Sequence, residues 1–356
     1  MRAGRGAQRV RQMLIAEPNP PAVKLALLGL PSGSHVGASL SRGAAKLGIR
    51  SIWFDASKAF AGPRLLRSMS WHLADHRPLH LNRFSKELVK ACALAKPEIL
   101  VATGMAPLTE SGLRALRQLG IVSANFSTDD PWNPGMRSNW HLRALPSYDL
   151  VFSPRRSNLD DLRHLGCAKV HYLPFGYDES LFACAANSSD TSVYDILFVG
   201  GADPDRAAFL TEFMRYGPPV AVAGGYWERY PAFRAYALGT KSPEMIRALT
   251  AAAKVNLCLV RRANRDGHVM RSFEIAAAAG CMLAEDTDEH REFFGPEGEA
   301  VIYFRDAKEA ALRARALLPD LPERKRLAAR LHRRIAGGSH TYAHRLATML
   351  GIASGE

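Results

Sequence analysis

The chain has 356 residues, a length that suits two domains of ordinary size, each able to bury its own core. Its 47 Lys and Arg residues outnumber 34 Asp and Glu, and a net charge of +13 favours phosphate-bearing partners without choosing among nucleotides, anionic lipids and nucleic acid. No run of 18 apolar residues occurs, which argues against a membrane-spanning helix.

The first half of the chain alternates predicted strands and helices. Residues 1–20 form a basic leader, predicted to be flexible, and residues 21–183 are predicted to form the N-terminal domain. The predicted strands are residues 23–29, 49–54, 98–103, 121–125, 148–152 and 169–173, and the predicted helices are a segment ending at Gly48, 86–94, 109–119 and 157–165. Strands that alternate with helices indicate a parallel sheet.

A small, polar stretch at residues 184–193 is the predicted linker, and a second alternating series follows it in residues 194–338. Strands are predicted at residues 195–199, 220–223, 255–260 and 281–285, with helices at 205–216 and 322–337. A last helix within residues 339–356 is expected to cross back to the first domain. The predicted fold is α/β, with two Rossmann-like domains that face a cleft at the carboxyl ends of their strands.

The most informative segment, residues 255–288, joins a strand, a basic loop, an Ala-rich helix and another strand. The loop places Arg261, Asp266, Gly267 and His268 where a helix N-terminus presents unpaired N–H groups and a positive dipole. A diphosphate would bind well at such a site. Gly280 is predicted to end the helix as its C-cap.

Two acids in this segment, Asp266 and Glu274, are separated by seven residues. This spacing is similar to the Glu-x7-Glu segment of GT-B glycosyltransferases, in which the first acid lies near the transferred sugar and the second binds the ribose hydroxyls. Here the first acid is an Asp, one methylene shorter, so the ribose role of Glu274 is the firmer expectation. The alternative is a surface salt-bridge loop that caps an ordinary strand and helix.

Six segments in order extend this similarity from Phe126 to the C-terminus. They are FSTDDPWNPGMRSNW (126–140), YDLVFSPRRSNLDDLRHLG (148–166), LPFGYDESLF (173–182), DILFVGGADPDR (195–206), RSFEIAAAAG (271–280) and SHTYAHR (339–345). Together they resemble the CgeB-like, spore-maturation-type glycosyltransferases. The resemblance implies a GT-B fold, a nucleotide-sugar donor held mainly by the C-terminal domain, and no catalytic metal or other cofactor.

On the donor side, the resemblance places Gly200 and Gly201 at a turn whose N–H groups face the diphosphate, although a plain tight turn is the alternative. Tyr226 or Trp227 follows the next strand, where either ring would stack on the base or pack in the core.

Arg261 and Arg271 are the candidates to neutralise the diphosphate, because the leaving group gains negative charge and a metal-free site needs fixed cations. His268 is a weaker candidate for that role, since a lone His in a first helical turn is more often a solvated or capping residue.

On the acceptor side, Asp129 and Asp130 follow a predicted strand and precede Pro131 and Trp132 at the cleft edge. A carboxylate there would bind the acceptor hydroxyl or act as its base, or it would simply start a turn. Ser34 and His35 lie at the first strand-to-helix turn, as acceptor-side residues or as N-cap residues.

Other signals are interpreted as structural. The two Asp-x-Asp sequences, at residues 203–205 and 286–288, are assigned to a helix start and a strand end rather than to a metal. The five dispersed cysteines indicate a reducing, cytoplasmic setting.

These residues and the family resemblance together imply a metal-independent hexosyltransferase that moves a sugar from a nucleotide diphosphate to a hydroxyl of a cell-surface or spore-coat glycan. A retaining reaction is favoured, the acceptor is a glycan or lipid-linked molecule, and no specific nucleic acid is expected. Contact with an anionic membrane is at most peripheral. Alternatives are a sugar-nucleotide epimerase on the same fold and a non-catalytic anion-binding scaffold.

Overall fold

A computed structural model describes residues 24–31, 33, 35–73, 75–184 and 193–355. The predicted leader, the candidate Ser34 and residues 185–192 of the predicted linker lie outside the described residues.

The N-terminal domain is built on a six-stranded sheet. Its strands are β1 Leu25–Gly29, β2 Ser51–Asp55, β3 Ile99–Thr103, β4 Val122–Phe126, β5 Leu150–Ser153 and β6 Val170–Tyr172. The order is β2-β1-β3-β4-β5-β6, and every neighbouring pair is parallel. All five β1 residues are buried, as expected for a strand with helices on both faces of its sheet.

The C-terminal domain contains a second six-stranded parallel sheet. Its strands are β7 Tyr194–Val199, β8 Val220–Ala223, β9 Ala237–Gly239, β10 Ala253–Cys258, β11 Met282–Glu285 and β12 Ile302–Phe304, in the order β12-β11-β10-β7-β8-β9. The predicted α/β fold with two Rossmann-like domains is confirmed. The sequence did not predict β9 and β12, which are three-residue edge strands and too short to show a pattern.

Helices cover both sheets. They are α1 Val36–Lys46, α2 Arg64–Leu73, α3 Leu81–Ala95, α4 Glu110–Gln118, α5 Asn139–Ala144, α6 Leu159–His164, α7 Glu179–Phe182, α8 Pro204–Tyr216, α9 Pro243–Ala252, α10 Met270–Ala277, α11 Asp288–Phe294, α12 Ala307–Leu317, α13 Leu321–Ala336 and α14 Tyr342–Ser354. Short 3-10 helices lie at Ala56–Phe60, Leu145–Ser147, Arg156–Asn158, Trp227–Arg229, Pro231–Phe233 and Arg262–Asn264. Helix α8 starts one residue before the predicted Asp205, because Asp203 is the N-cap and accepts a hydrogen bond from the Arg206 N–H.

The end of α10 differs from the prediction. The helix stops at Ala277, and the left-handed residue after it is Ala279, with φ of 54°, rather than Gly280. Gly280 is instead a point of close packing, since a Cβ there would lie 2.8 Å from Asn256 Nδ2 and 2.9 Å from Thr250 Cγ2. The Gly280 N–H still caps the helix by donating to the Ile275 carbonyl oxygen at 3.0 Å, but the absence of a side chain at Gly280 serves tertiary contact.

The last helix, α14, returns to the N-terminal domain as predicted. A Cβ on Gly43 of α1 would lie 3.0 Å from the backbone nitrogen of Ala343, so the two helices touch backbone to backbone. The Arg345 guanidinium donates to the carbonyl oxygens of Pro174, at 2.8 Å, and Phe175, at 2.9 Å. The contacts of Arg345 hold the segment at Pro174 and Phe175, near the end of the N-terminal domain, against the C-terminal helix α14. Along the described residues, none of the helices has the length and apolarity that crossing a bilayer requires.

Candidate functional site

A cleft of about 720 Å³ lies between the two domains. The carboxyl ends of the strands in both sheets contribute to its walls, as in other open α/β folds. It is lined by Leu30, His35, Val36, Gly37, Ala56, Ser57, Phe60, Trp71, Thr103, Gly104, Met105, Thr128, Asp129, Met136, Arg155, Phe175, Arg206, Arg261, Asn264, Asp266, Val269 and Met270. Four of the predicted site residues, His35, Asp129, Arg261 and Asp266, therefore meet in one cavity.

A smaller hollow of about 170 Å³ shares Arg206, Val269 and Met270 with the cleft and extends it over the C-terminal sheet. Gly200, at the end of β7, and Arg271, in the first turn of α10, line this extension. The predicted glycine turn and the predicted helix N-terminus therefore face the same space.

Arginine side chains dominate the electrostatics of this region. The Nε atoms of Arg206, Arg261 and Arg271 are buried, and none has a hydrogen-bond partner among the described residues. Asp203 Oδ2 lies 3.7 Å from Arg206 Nε and 3.8 Å from Arg261 Nε, which is beyond hydrogen-bond distance. Burial lowers the pKa of Arg206, as expected for a cation whose charge is incompletely compensated. The three guanidinium groups have donors to spare for an anion.

Arg206 was not predicted from the sequence. Its Nη1 donates to the Gly201 carbonyl oxygen at 3.1 Å, which holds the guanidinium against the turn after β7. The sequence feature that could have identified Arg206 was its position at the end of the segment DILFVGGADPDR, a few residues after the glycines at the end of β7.

Glu274 lies on α10, one turn after Arg271, with which it forms an ion pair. Its side chain is only 2 % exposed, and burial raises its pKa to about 7, against the opposing effect of Arg271. Neither cavity is lined by Glu274. Its predicted ribose contact stays a prediction, and in this structure its side chain contacts the Arg271 guanidinium.

Asp266 forms an ion pair with Arg155, a residue that sequence reasoning missed. Both side chains are almost fully buried, and Arg155 also donates to the Thr128 carbonyl oxygen at 2.8 Å. Burial raises the pKa of Asp266, while Arg155 opposes that effect. The sequence signal that could have found Arg155 was the adjacent pair Arg155 and Arg156 just after β5. That position alone did not identify Asp266, in the other domain, as the partner of Arg155.

The two adjacent acids Asp129 and Asp130 have different environments. Asp129 lines the cleft, where Asn264 Nδ2 donates to its Oδ1 at 3.4 Å. Asp130 is 1 % exposed and accepts from Arg265 Nε at 2.6 Å and Nη2 at 3.1 Å. It also accepts from the Trp132 N–H at 2.9 Å, which is the turn chemistry considered as the alternative. Asp130 and Trp132 do not line the cleft, and Asp129 is the carboxylate with access to a ligand.

His268 is fully buried, contrary to the expectation of a cation near the diphosphate or a solvated cap residue. Its Nε2 accepts a hydrogen bond from the Phe175 N–H at 3.0 Å, and its Nδ1 forms a hydrogen bond with the Glu289 carboxylate. Burial lowers the pKa of His268. The neighbouring Gly267 has a similar packing role, since a Cβ there would lie 2.6 Å from Glu289 Cδ. Both residues pack and position the loop after β10, and their predicted donor contacts stay predictions.

Of the two aromatic candidates, Trp227 packs in the core. It is 1 % exposed, and its Nε1 donates to the Gly200 carbonyl oxygen at 2.9 Å. Tyr226 is 55 % exposed with a left-handed φ of 71°, and the Arg229 guanidinium lies 4.5 Å from its ring centre. His35 is the N-cap residue of α1, but its side chain makes no cap hydrogen bond and lines the cleft.

Residues 206–351 match the family model described as glycosyl transferase-like. No curated protein matches the chain. Among solved structures, sucrose-phosphate synthase from Thermosynechococcus elongatus is similar at 14% identity, with a TM-score of 0.68 over 93% of this chain and 98% of that chain. HepE from Anabaena in complex with UDP-glucose is similar at 14% identity, with a TM-score of 0.63 over 94% of this chain and 100% of that chain.

A trehalose-6-phosphate synthase, studied with bisubstrate glycomimetics for glycosyl transfer with retention, is similar at 15% identity. Its TM-score is 0.61 over 94% of this chain and 99% of that chain. These likenesses establish the fold. The chain thus has the two-domain GT-B fold, and residues 206–351 are similar to a glycosyl transferase-like family.

Proposed function

We propose that the protein is a metal-independent glycosyltransferase that uses a nucleotide diphosphate-sugar. The observation that carries this proposal is the group of buried Nε donors on Arg206, Arg261 and Arg271 at the strand ends of the C-terminal sheet. Charged donors that a protein leaves unpaired in its interior are costly unless a ligand pairs with them. A diphosphate supplies the matching oxygens beside the N-terminus of α10.

The same arginines suit the transition state of sugar transfer. As the bond between the sugar C1 and the diphosphate oxygen breaks, negative charge grows on the leaving group. Fixed guanidinium groups in a site shielded from water stabilise this charge without a metal. Binding of UDP-glucose by the HepE neighbour supports a donor of this class.

We favour a retaining reaction. The acceptor oxygen bonds to C1 on the face that the diphosphate leaves, and the acceptor proton passes to a departing phosphate oxygen. No protein base is required, which suits a cleft in which Asp266 is engaged by Arg155. The trehalose-6-phosphate synthase studied for transfer with retention supports this choice. Asp129 is the candidate base if the reaction inverts instead.

The acceptor is proposed to be a glycan precursor with an apolar part, such as a lipid-linked sugar. The N-terminal wall of the cleft is largely apolar, with Leu30, Phe60, Trp71, Met105 and Met136 among its lining residues. We place the reaction in cell-surface or spore-coat glycan synthesis, at the inner face of the membrane, and the six segments that resemble CgeB-like enzymes support this setting.

The test is donor binding followed by turnover. Isothermal titration with UDP-, GDP-, dTDP-, CMP- and ADP-activated sugars, in the presence of EDTA, identifies the donor. Arg206→Gln is expected to weaken binding of that donor at least tenfold. Arg262→Gln, in the loop after β10 next to Arg261 but with a 64 % exposed side chain, is the control.

Turnover separates the alternatives. Transfer to an acceptor with the donor's anomeric configuration kept, as read by NMR, supports the retaining reaction, and an inverted product contradicts it. Conversion of the donor sugar without an acceptor would indicate an epimerase. Binding of none of these donors would leave the arginines as an anion-binding scaffold and overturn the proposal.

A further inference from the structure

Helix α2 carries an apolar face that no other part of the chain within the described residues covers. Leu65 is 72 % exposed, Leu66 49 %, Met69 48 % and Leu73 78 %. With 3.6 residues per turn, these four side chains lie within an arc of about 100°. Water is an unfavourable environment for a continuous apolar face of this kind, so the face has the form of a contact surface.

Basic side chains lie on the side of the helix opposite this apolar face, since Arg64 and Arg67 are each about 150° from the middle of the apolar arc. Arg64 precedes Leu65 and Arg67 follows Leu66, and in the described parts of the chain neither arginine has an acidic side chain within ion-pair distance. The segment of residues 56–81 contains four Lys and Arg residues and a single acid, Asp75. The Asp75 carboxylate is engaged, since its Oδ2 accepts from the Asn139 N–H at 2.5 Å. The surface around α2 is therefore basic.

The helix lies beside the cleft. A hollow of about 400 Å³ next to α2 is lined by Arg64, Arg67, Arg77 and also by Phe60 and Trp71. Phe60 and Trp71 line the cleft as well, so the hollow and the cleft adjoin at these two rings. Whatever covers α2 lies next to the apolar wall of the cleft.

We propose that α2 docks the protein on an anionic lipid bilayer. The leucines and Met69 would enter the boundary between headgroups and acyl chains, and Arg64 and Arg67, on the polar side of the helix, would pair with lipid phosphates at the level of the headgroups. An apolar face with arginines on the opposite side has the charge and hydrophobicity of an interfacial helix, whereas a soluble protein partner would need no such positive excess. Docking on α2 would let a lipid-linked acceptor enter the cleft past Phe60 and Trp71. This consequence rests on the proposed function, whereas the docking itself does not.

The other basic helix, α13, lacks these features. Its apolar residues Leu327, Leu331 and Ile335 are buried in the protein. Of its arginines, Arg326 pairs with Glu323 and Arg334 with Glu299. Helix α13 therefore offers charge without an exposed apolar face, and it serves as the comparison for the experiment.

The experiment is sedimentation of the full chain with vesicles of phosphatidylcholine alone or with one third phosphatidylglycerol. Three variants are compared with the wild type: Leu65→Ser with Leu73→Ser, Arg64→Gln with Arg67→Gln, and the α13 control Arg330→Gln with Arg333→Gln. Leu312→Ser, at a 53 % exposed leucine of the other domain, controls for loss of an exposed apolar side chain. All α2 substitutions are at exposed positions, and unchanged thermal unfolding confirms that the variants fold.

We expect binding to the anionic vesicles only, reduced at least tenfold by either α2 variant and at most twofold by either control. Equal binding of the α2 variants and the wild type, or no binding to anionic vesicles, would overturn the proposal. Self-association in analytical ultracentrifugation that the leucine substitutions abolish would also overturn it, because a second copy would then cover α2. Donor titration of the same variants should be unchanged, so a failure of lipid docking is distinguishable from a failure of the donor site.

Discussion

Arg155 and Asp266 form a buried ion pair that joins the end of β5 in the N-terminal domain to the loop after β10 in the C-terminal domain. The Arg155 side chain is 2 % exposed and the Asp266 side chain 3 % exposed. The pair therefore holds the two halves of the cleft together. Its acid, Asp266, is the first acid of the acid-x7-acid segment.

Replacing Asp266 by Asn is expected to destabilise the protein by about 3 kcal/mol, because Arg155 is left as a buried charge without a counter-ion. Urea unfolding measures this loss. The exposed pair formed by Arg163 and Asp160 provides the control, since Arg163→Gln should cost less than about 1 kcal/mol. Adding Arg155→Met to Asp266→Asn should recover part of the stability. A cost below that of the control would show that the pair is not buried in solution.

The arginines that line the extended cleft should each contribute to donor binding, and the exposed neighbour Arg262 should not. Arg206→Gln and Arg261→Gln each remove a buried donor, and a charged hydrogen bond is worth about 1.5–3 kcal/mol, or roughly tenfold to a hundredfold in affinity. Calorimetric titration with the identified nucleotide sugar measures the loss. Arg262→Gln should change affinity less than twofold, and a similar loss in that control would contradict a specific diphosphate site.

Glu274 is expected to make the stability depend on pH. Its folded pKa, about 7, lies above the ordinary value of 4.5, so its contribution is fully present below the unfolded pKa and is lost as the pH rises through 7. At about 1.4 kcal/mol per pKa unit, the loss between pH 5 and pH 8 reaches about 3 kcal/mol. Glu274→Gln should remove this dependence, measured by urea unfolding at both pH values.

Buried histidines act in the opposite direction, so the comparison with Glu274→Gln is essential. Burial lowers the pKa of His141 and His290 to about 4, and their contribution is present above the unfolded pKa and lost as the pH falls through 4. These histidines are present in both proteins, and the difference between wild type and variant isolates Glu274. Parallel pH profiles would contradict the raised pKa.

His268→Leu is expected to lower stability by about 2–4 kcal/mol, because it leaves the Phe175 N–H and the Glu289 carboxylate without their partner in the interior. Thermal and urea unfolding measure this effect. If His268 acts only by positioning the loop, donor affinity at low temperature, where the variant is folded, should fall by much less than in Arg206→Gln. A larger loss of affinity than in Arg206→Gln would restore His268 as a ligand of the diphosphate.

The end of α10 provides a matched pair of glycine substitutions. Ala279→Gly should stabilise the protein by about 1 kcal/mol, since Ala279 has a left-handed φ of 54°. Gly280→Ala should destabilise it, because the new Cβ meets Asn256 and Thr250 within 2.9 Å. Unfolding in urea compares the two variants. The opposite order would place the C-cap at Gly280, as the sequence first indicated.

The larger elements could be predicted because their signals are local. Buried strands such as β1 and β3 are apolar runs between turn residues, and α4 has the spacing of an amphipathic helix. The loop after β10 also showed its basic character directly, and Arg261 and Asp266 were found for that reason. Short edge strands such as β9 gave no comparable signal.

The sequence by itself determined the α/β class, the order of the main elements, the return of the last helix and the anion-seeking loop, because each follows from residues close together in the chain. Only the tertiary structure decided which of two adjacent acids faces the cleft, that Arg155 engages Asp266, that His268 and Trp227 are packing residues, and that α2 exposes its leucines. These outcomes depend on burial and on partners more than 20 residues away, which local pattern and propensity do not encode.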